Sequence, residues 1–109
     1  MPEYDRRPGT SPVVATLLAT GLIYPNARVL DIGCGRGPDS LGIAMAIECQ
    51  VLGIDECPDW IKEARRAARA LGLEKRARFR AASLPQDLRK LGEASFDVVI
   101  DTMASANIT

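Results

Sequence analysis

The stretch Val29-Leu30-Asp31-Ile32-Gly33-Cys34-Gly35-Arg36-Gly37 constrains this chain more than any other. An apolar run reaches an acid, and three glycines follow at alternate positions. Glycine admits positive φ, and without a Cβ it lets a ligand approach the main chain closely. The apolar residues predict a buried strand, and Pro38-Asp39-Ser40 predicts a helix start. A strand, a glycine turn and a helix N-terminus in succession form a nucleotide pocket.

The same alternation continues along the chain. Residues 1–10 are polar and read as an arm. Ser11 is the expected N-cap and Pro12 the first position of a helix running over residues 13–20, with Gly21 as its stop. Strands are predicted at Arg28–Ile32, Gln50–Asp55, Ala77–Ala81 and 96–101. Between them lie a helix over 38–48, with Leu41, Ile43, Ala44 and Ile47 on a helical period, and a helix opened by Pro58. In the latter, Ile61, Ala64, Ala68 and Leu71 form one buried face and Gly72 is the stop. A short helical turn is expected near 86–91. Alternating strands and helices predict an α/β fold, a doubly wound, Rossmann-like parallel sheet that ends after its fourth strand. The Val98-Val99-Ile100 run suits burial on both faces. A strand of that kind at an open edge invites pairing. The expectation is therefore an incomplete domain over 11–109, part of a longer enzyme or completed by a partner chain. Alone, it should form a homo-oligomer through the fourth strand or aggregate.

Composition narrows the chemistry. The chain's 109 residues suffice for one domain. Fourteen basic side chains balance fourteen acidic ones, so no overall field attracts nucleic acid or a membrane surface. The N-terminus lacks the apolar core of a signal peptide, and a cytoplasmic location is expected. The absence of histidine excludes Ser-His-Asp and Cys-His mechanisms within this chain. Cys34, Cys49 and Cys57 show no C-x-x-C spacing, so no disulfide framework or zinc site is expected. A Cys34 thiolate nucleophile is conceivable, but a small turn residue packed on the sheet is the favoured reading. The basic residues between Lys62 and Arg80 read as a solvated helix face and a blunted edge strand rather than as a nucleic-acid footprint.

Two nucleotide motifs fail in this sequence. In G-x-G-x-x-G, Pro38 or Ser40 stands where the last glycine belongs, which argues against an oxidoreductase nucleotide domain. A phosphate-binding loop needs Gly-Lys-Ser/Thr, and no lysine precedes Lys62. What remains, Asp31-x-Gly33-x-Gly35-x-Gly37, resembles the first motif of the class I S-adenosylmethionine-dependent methyltransferases. Val51-Leu52-Gly53-Ile54-Asp55-Glu56 and the run from Ser95 to Ala104 resemble later motifs of that family. The likeness covers roughly residues 11–104, and the region from Arg7 to Val14 is similar to the lead-in of small-molecule members.

The resemblance implies S-adenosylmethionine as cofactor and S-adenosylhomocysteine as product. It implies that Gly33, Cys34, Gly35 and Gly37 line the cofactor and that Asp31 meets its ammonium. Asp55, with Glu56 as the substitute, would accept from the ribose diol, since a carboxylate has two oxygens at about the spacing of two hydroxyls. Trp60 would cover the adenine or else pack helix against sheet. Ser83 stands where the family often has an aspartate for the adenine amino group, and the Leu84 backbone N–H is in line for a ring nitrogen. Asp101 falls beside the transferred methyl group and is the one carboxylate nominated as base, while Asp97 reads as structural. The Asn/Asp-Pro-Pro-Tyr signature of amino-directed DNA methyltransferases is absent. The expected function is direct in-line methyl transfer to a small-molecule acceptor. The alternative is a non-catalytic module that binds the cofactor or a nucleoside.

Overall fold

The computed structural model describes residues 12–83 and 95–101. The expected arm, the Ser11 cap, Leu84, the turn near 86–91 and the tail of the fourth motif lie outside these residues. Helix α1 spans Pro12–Ala19, strand β1 Arg28–Ile32, helix α2 Pro38–Ala46 and strand β2 Gln50–Asp55. Helix α3 follows at Pro58–Ala70, then strands β3 at Ala77–Ala81 and β4 at Val98–Asp101. The four strands form one parallel sheet in the order β3-β2-β1-β4. The predicted α/β, Rossmann-like parallel sheet is present.

The order explains the layout. From β1 the chain steps outward twice in one direction, through α2 to β2 and through α3 to β3. Right-handed crossovers then put both helices on the same face of the sheet. The next strand, β4, returns to the other side of β1, so the strand order reverses at β1. Ligands of open α/β sheets bind in the crevice at such a reversal, beyond the carboxyl ends of the strands.

The core lies between the sheet and the helices. Val29, Val51, Ile43, Ile61, Ala64 and Phe79 are buried there, and α1 adds Val14. Two arginines from the basic stretch bind main-chain carbonyls. Arg65 donates from Nε and Nη2 to the Phe79 carbonyl at 3.0 and 2.8 Å. Arg76 donates to the carbonyls of Ala44 and Ile47 at 2.8 and 3.2 Å, satisfying acceptors that the end of α2 leaves open. Asp97 is structural as expected, with Oδ2 accepting from the Arg28 backbone N–H at 2.9 Å.

Several details differ from expectation, and β4 begins at Val98 rather than at residue 96. Helix α2 stops at Ala46 because Ile47 is already extended, with φ −137° and ψ 141°. Leu71, expected on the buried face of α3, follows the helix as its C-cap and is 43% exposed. Val99 is 57% exposed, because β4 borders the sheet and no described helix covers that side.

Candidate functional site

The site begins where β1 ends. Asp31 pairs in register with Gly53 on β2 and Ile100 on β4, and Ile32 pairs with Ile54 and Asp101. Asp31, Asp55 and Asp101 therefore gather at the carboxyl ends of three adjacent strands. The glycine turn leaves β1 at once and is tied to β2, since the N–H groups of Gly33 and Cys34 both donate to the Ile54 carbonyl at 2.9 Å. Gly33, Gly35 and Gly37 have φ of 71°, 59° and 90°.

Gly37 and Gly53 are required by packing as well. A Cβ on Gly37 would lie 2.9 Å from the Phe79 ring, and one on Gly53 would lie 2.7 Å from Phe79 Cδ1 and 2.9 Å from Cys34 Sγ. Phe79 thus wedges beneath the turn from β3. Cys34 is buried against the same glycine, and burial pushes its thiol far above the ordinary range. It is a packed turn residue and not a thiolate nucleophile.

Asp55 is clamped by the backbone. Its Oδ2 accepts from the Gly35 N–H and its Oδ1 from the Cys57 N–H, each at 2.9 Å. The glycine turn and the start of α3 are thereby fixed to one carboxylate. A carboxylate offers about four lone-pair sites, so two remain for a ligand.

Asp31 is the most unusual group in the site. It is 1% exposed, and Ser40 Oγ donates to its Oδ2 at 2.7 Å. Its Oδ1 is buried with no hydrogen-bond partner. Burial raises its pKa to about 7, the nearby carboxylates of Asp39, Asp101 and Asp55 add to the rise, and the Ser40 bond opposes it.

Trp60 faces another part of the surface. With Cys34, Gly35, Arg36, Leu41 and Leu71 it lines a groove of about 500 Å³ between α2 and α3. The Arg36 guanidinium lies 5.3 Å from its ring centroid and also pairs with Glu63. None of Asp31, Asp55 and Asp101 lines this groove. Glu56 and Ser83 are exposed and follow β2 and β3.

Sequence reasoning missed Ser40, Asp39 and Phe79 as parts of the site. Ser40 had a readable signal: three residues after Gly37, it falls in the first turn of the helix that the glycine turn introduces. Phe79 carried none beyond being the one large residue in a strand of alanines and arginines.

A parallel α/β sheet with a glycine turn and acids at its point of reversal defines a class of nucleotide-type binding domains. Within that class, residues 23–109 match the family described as "Methyltransferase domain". The chain belongs to this family, as a class I S-adenosylmethionine-dependent methyltransferase domain. It is similar to the structure solved for the conversion of a disulfide bond into a thioacetal group during echinomycin biosynthesis. There the identity is 39% and the TM-score 0.74, over 94% of this chain and 39% of that one. The ubiquinone biosynthesis O-methyltransferase of Xanthomonas campestris pv. campestris is 38% identical over 82% of this chain and 36% of its own length. The S-adenosylmethionine-dependent methyltransferase of Geobacter sulfurreducens, in complex with S-adenosyl-L-homocysteine, aligns with a TM-score of 0.60 at 29% identity, over 73% of this chain and 32% of that one. The chain thus spans between 15% and 37% of the length of the curated relatives it matches. No described helix is long and apolar enough to cross a membrane.

Proposed function

We propose that this chain supplies the S-adenosylmethionine site of an enzyme that methylates a small molecule by direct in-line transfer. The observation that carries the reading is Asp55, held at the carboxyl end of β2 by the Gly35 and Cys57 amides. Both of its oxygens are fixed in place, and each keeps a lone pair for a diol hydroxyl. The buried Asp31 with its unpartnered Oδ1 suits the ammonium at the other end of the cofactor. The residues present fit the group.

When bound, the cofactor supplies a methyl group already activated on a sulfonium. The chain's own residues then bind and orient. Asp55 holds the ribose, Asp31 the ammonium, and the glycine turn leaves room for main-chain approach. Ser83 and the Leu84 N–H are the proposed surroundings of the adenine, with Glu56 beside the ribose. Such positioning contributes on the order of 7–11 kcal/mol where the nucleophile is held in line. For an oxygen or nitrogen acceptor that must lose a proton, Asp101 at the end of β4 is the proposed base. A small-molecule acceptor is supported by the relatives named for ubiquinone and echinomycin biosynthesis.

The test is calorimetric titration of the chain with S-adenosylhomocysteine, comparing wild type with Asp55→Ala and Asp55→Asn. Loss of charge-assisted bonds to the diol should weaken binding about tenfold or more in both variants. A folded wild-type chain that does not bind overturns the reading.

A further inference from the structure

Eight of the chain's fourteen basic side chains fall between Lys62 and Arg80, against Glu63 and Glu74 alone, although the chain as a whole is neutral. The fold gathers this surplus at one border of the sheet, where β3 is the last strand. Arg65 and Arg69 of α3 join Arg78 in lining a hollow of about 470 Å³ on the helix side of β3. Arg78 and Arg80 line a second hollow of about 460 Å³ that runs past Leu52 to Arg28 of β1. Arg65, Arg78 and Phe79 belong to both, so the two hollows meet at β3. Arg78 and Arg80 are exposed.

The outer edge of β3 keeps backbone donors in reserve. The Arg76 carbonyl accepts from the Val51 N–H at 2.7 Å, and the Ala82 N–H donates to the Asp55 carbonyl at 3.0 Å. Alternate residues of a parallel strand turn both backbone groups to the same neighbour. Arg78 and Arg80 therefore also face β2, and Ala77, Phe79 and Ala81 face outward. Two outward groups are already bonded. The Ala77 N–H donates to the Leu73 carbonyl at 2.8 Å, and the Phe79 carbonyl accepts from Arg65. The N–H groups of Phe79 and Ala81 are left at the border, one strand period apart. That spacing matches successive carbonyls along one edge of an extended peptide.

Charge decides which peptide. A second copy of β3 would set arginine against arginine, which keeps this edge from pairing with itself. Successive side chains of an incoming strand point to opposite faces. Acidic ones would reach Arg65 and Arg69 on one side and Arg78 and Arg80 on the other, where guanidinium groups suit carboxylates. The rings nearest these arginines, Phe79 and Phe96, are buried and half-buried, which gives single-stranded nucleic acid little to stack on.

We propose that the free edge of β3 takes an acidic, extended segment of a partner protein, which joins the sheet as a further strand. Backbone bonds to the Phe79 and Ala81 amides set its register, and the arginines on the two faces select for carboxylates. The site lies at the border farthest from β4 and does not depend on the cofactor reading.

The test is titration of the chain at low salt with an end-capped peptide of repeated Glu-Glu-Thr-Thr, which places carboxylates on both faces of a strand. It should bind about tenfold tighter or more than a Gln-Gln-Thr-Thr peptide. The same margin is expected over a fully N-methylated acidic peptide, which keeps the charge and cannot pair as a strand. Amide hydrogen exchange at Phe79 and Ala81 should slow in the complex. The double variant Arg78→Glu, Arg80→Glu should lose about tenfold or more for the acidic peptide and gain binding to Lys-Lys-Thr-Thr, which the wild type does not take. Three results overturn the inference: a folded wild type that ignores the acidic peptide, equal binding of its N-methylated form, or tighter binding of a single-stranded RNA of equal charge. None of them touches the cofactor reading, which S-adenosylhomocysteine tests separately. If the double variant does not fold, the peptide series and the exchange rates of the wild type decide.

Discussion

Asp31 is an ionisable side chain kept almost wholly out of water with one hydrogen bond to its name, and that has a cost in stability. Its folded pKa is raised to about 7 from an ordinary 3.8. Between these values the folded chain binds more protons than the unfolded one, so stability falls as pH rises and the loss is complete above about 7. The shift corresponds to on the order of 4 kcal/mol. Asp31→Asn does not titrate there. Relative to wild type it should gain melting temperature between pH 4 and pH 8, and parallel curves in scanning calorimetry would count against the assignment. Asp31 was legible because the strand–acid–glycine pattern announces it. Ser40 had a positional signal in the first turn of α2, but its bond to Asp31 was not legible, because it depends on how that turn docks against the end of β1.

At the scale of elements, the glycine turn is secured from three directions. The Ile54 carbonyl holds Gly33 and Cys34, the Asp55 carboxylate holds Gly35, and the Phe79 ring fills the space beneath Gly37 and Gly53. Gly53 has no positive φ, so Gly53→Ala tests the packing alone. Its Cβ would meet Phe79 at 2.7 Å and Cys34 at 2.9 Å, and the ring must shift. Overpacking of this kind costs about 1–3 kcal/mol, which urea unfolding will resolve. An unchanged midpoint would mean the ring has space to move. Strands β1, β2 and β3 were legible residue for residue, since period and apolar content agree with the backbone there. The end of α2 was not, because Ile47 continues the apolar period while the backbone there is already extended. The Val98-Val99-Ile100 run misled for a different reason: residue type cannot say which face of a strand receives a cover.

For the whole molecule, the reversal of strand order at β1 collects the acids in one crevice and also sets β4 at the border of the described sheet. An exposed valine on a bordering strand favours pairing with a second sheet. The chain should self-associate at micromolar concentration, and Val99→Lys should shift it toward monomer in sedimentation velocity. A wild type that sediments as monomer across that range rejects this. The position of β3 at the opposite border carries another consequence. Phe79 belongs to the strand farthest from β4, yet its ring sets the height at which the glycine main chain rides over the sheet. If the turn holds the cofactor as proposed, affinity should respond to substitution at Phe79, a residue that packs beneath the turn. A smaller residue at 79 would let the turn sink and a bulkier one would lift it, so side-chain volume there acts as a tuning screw for the pocket.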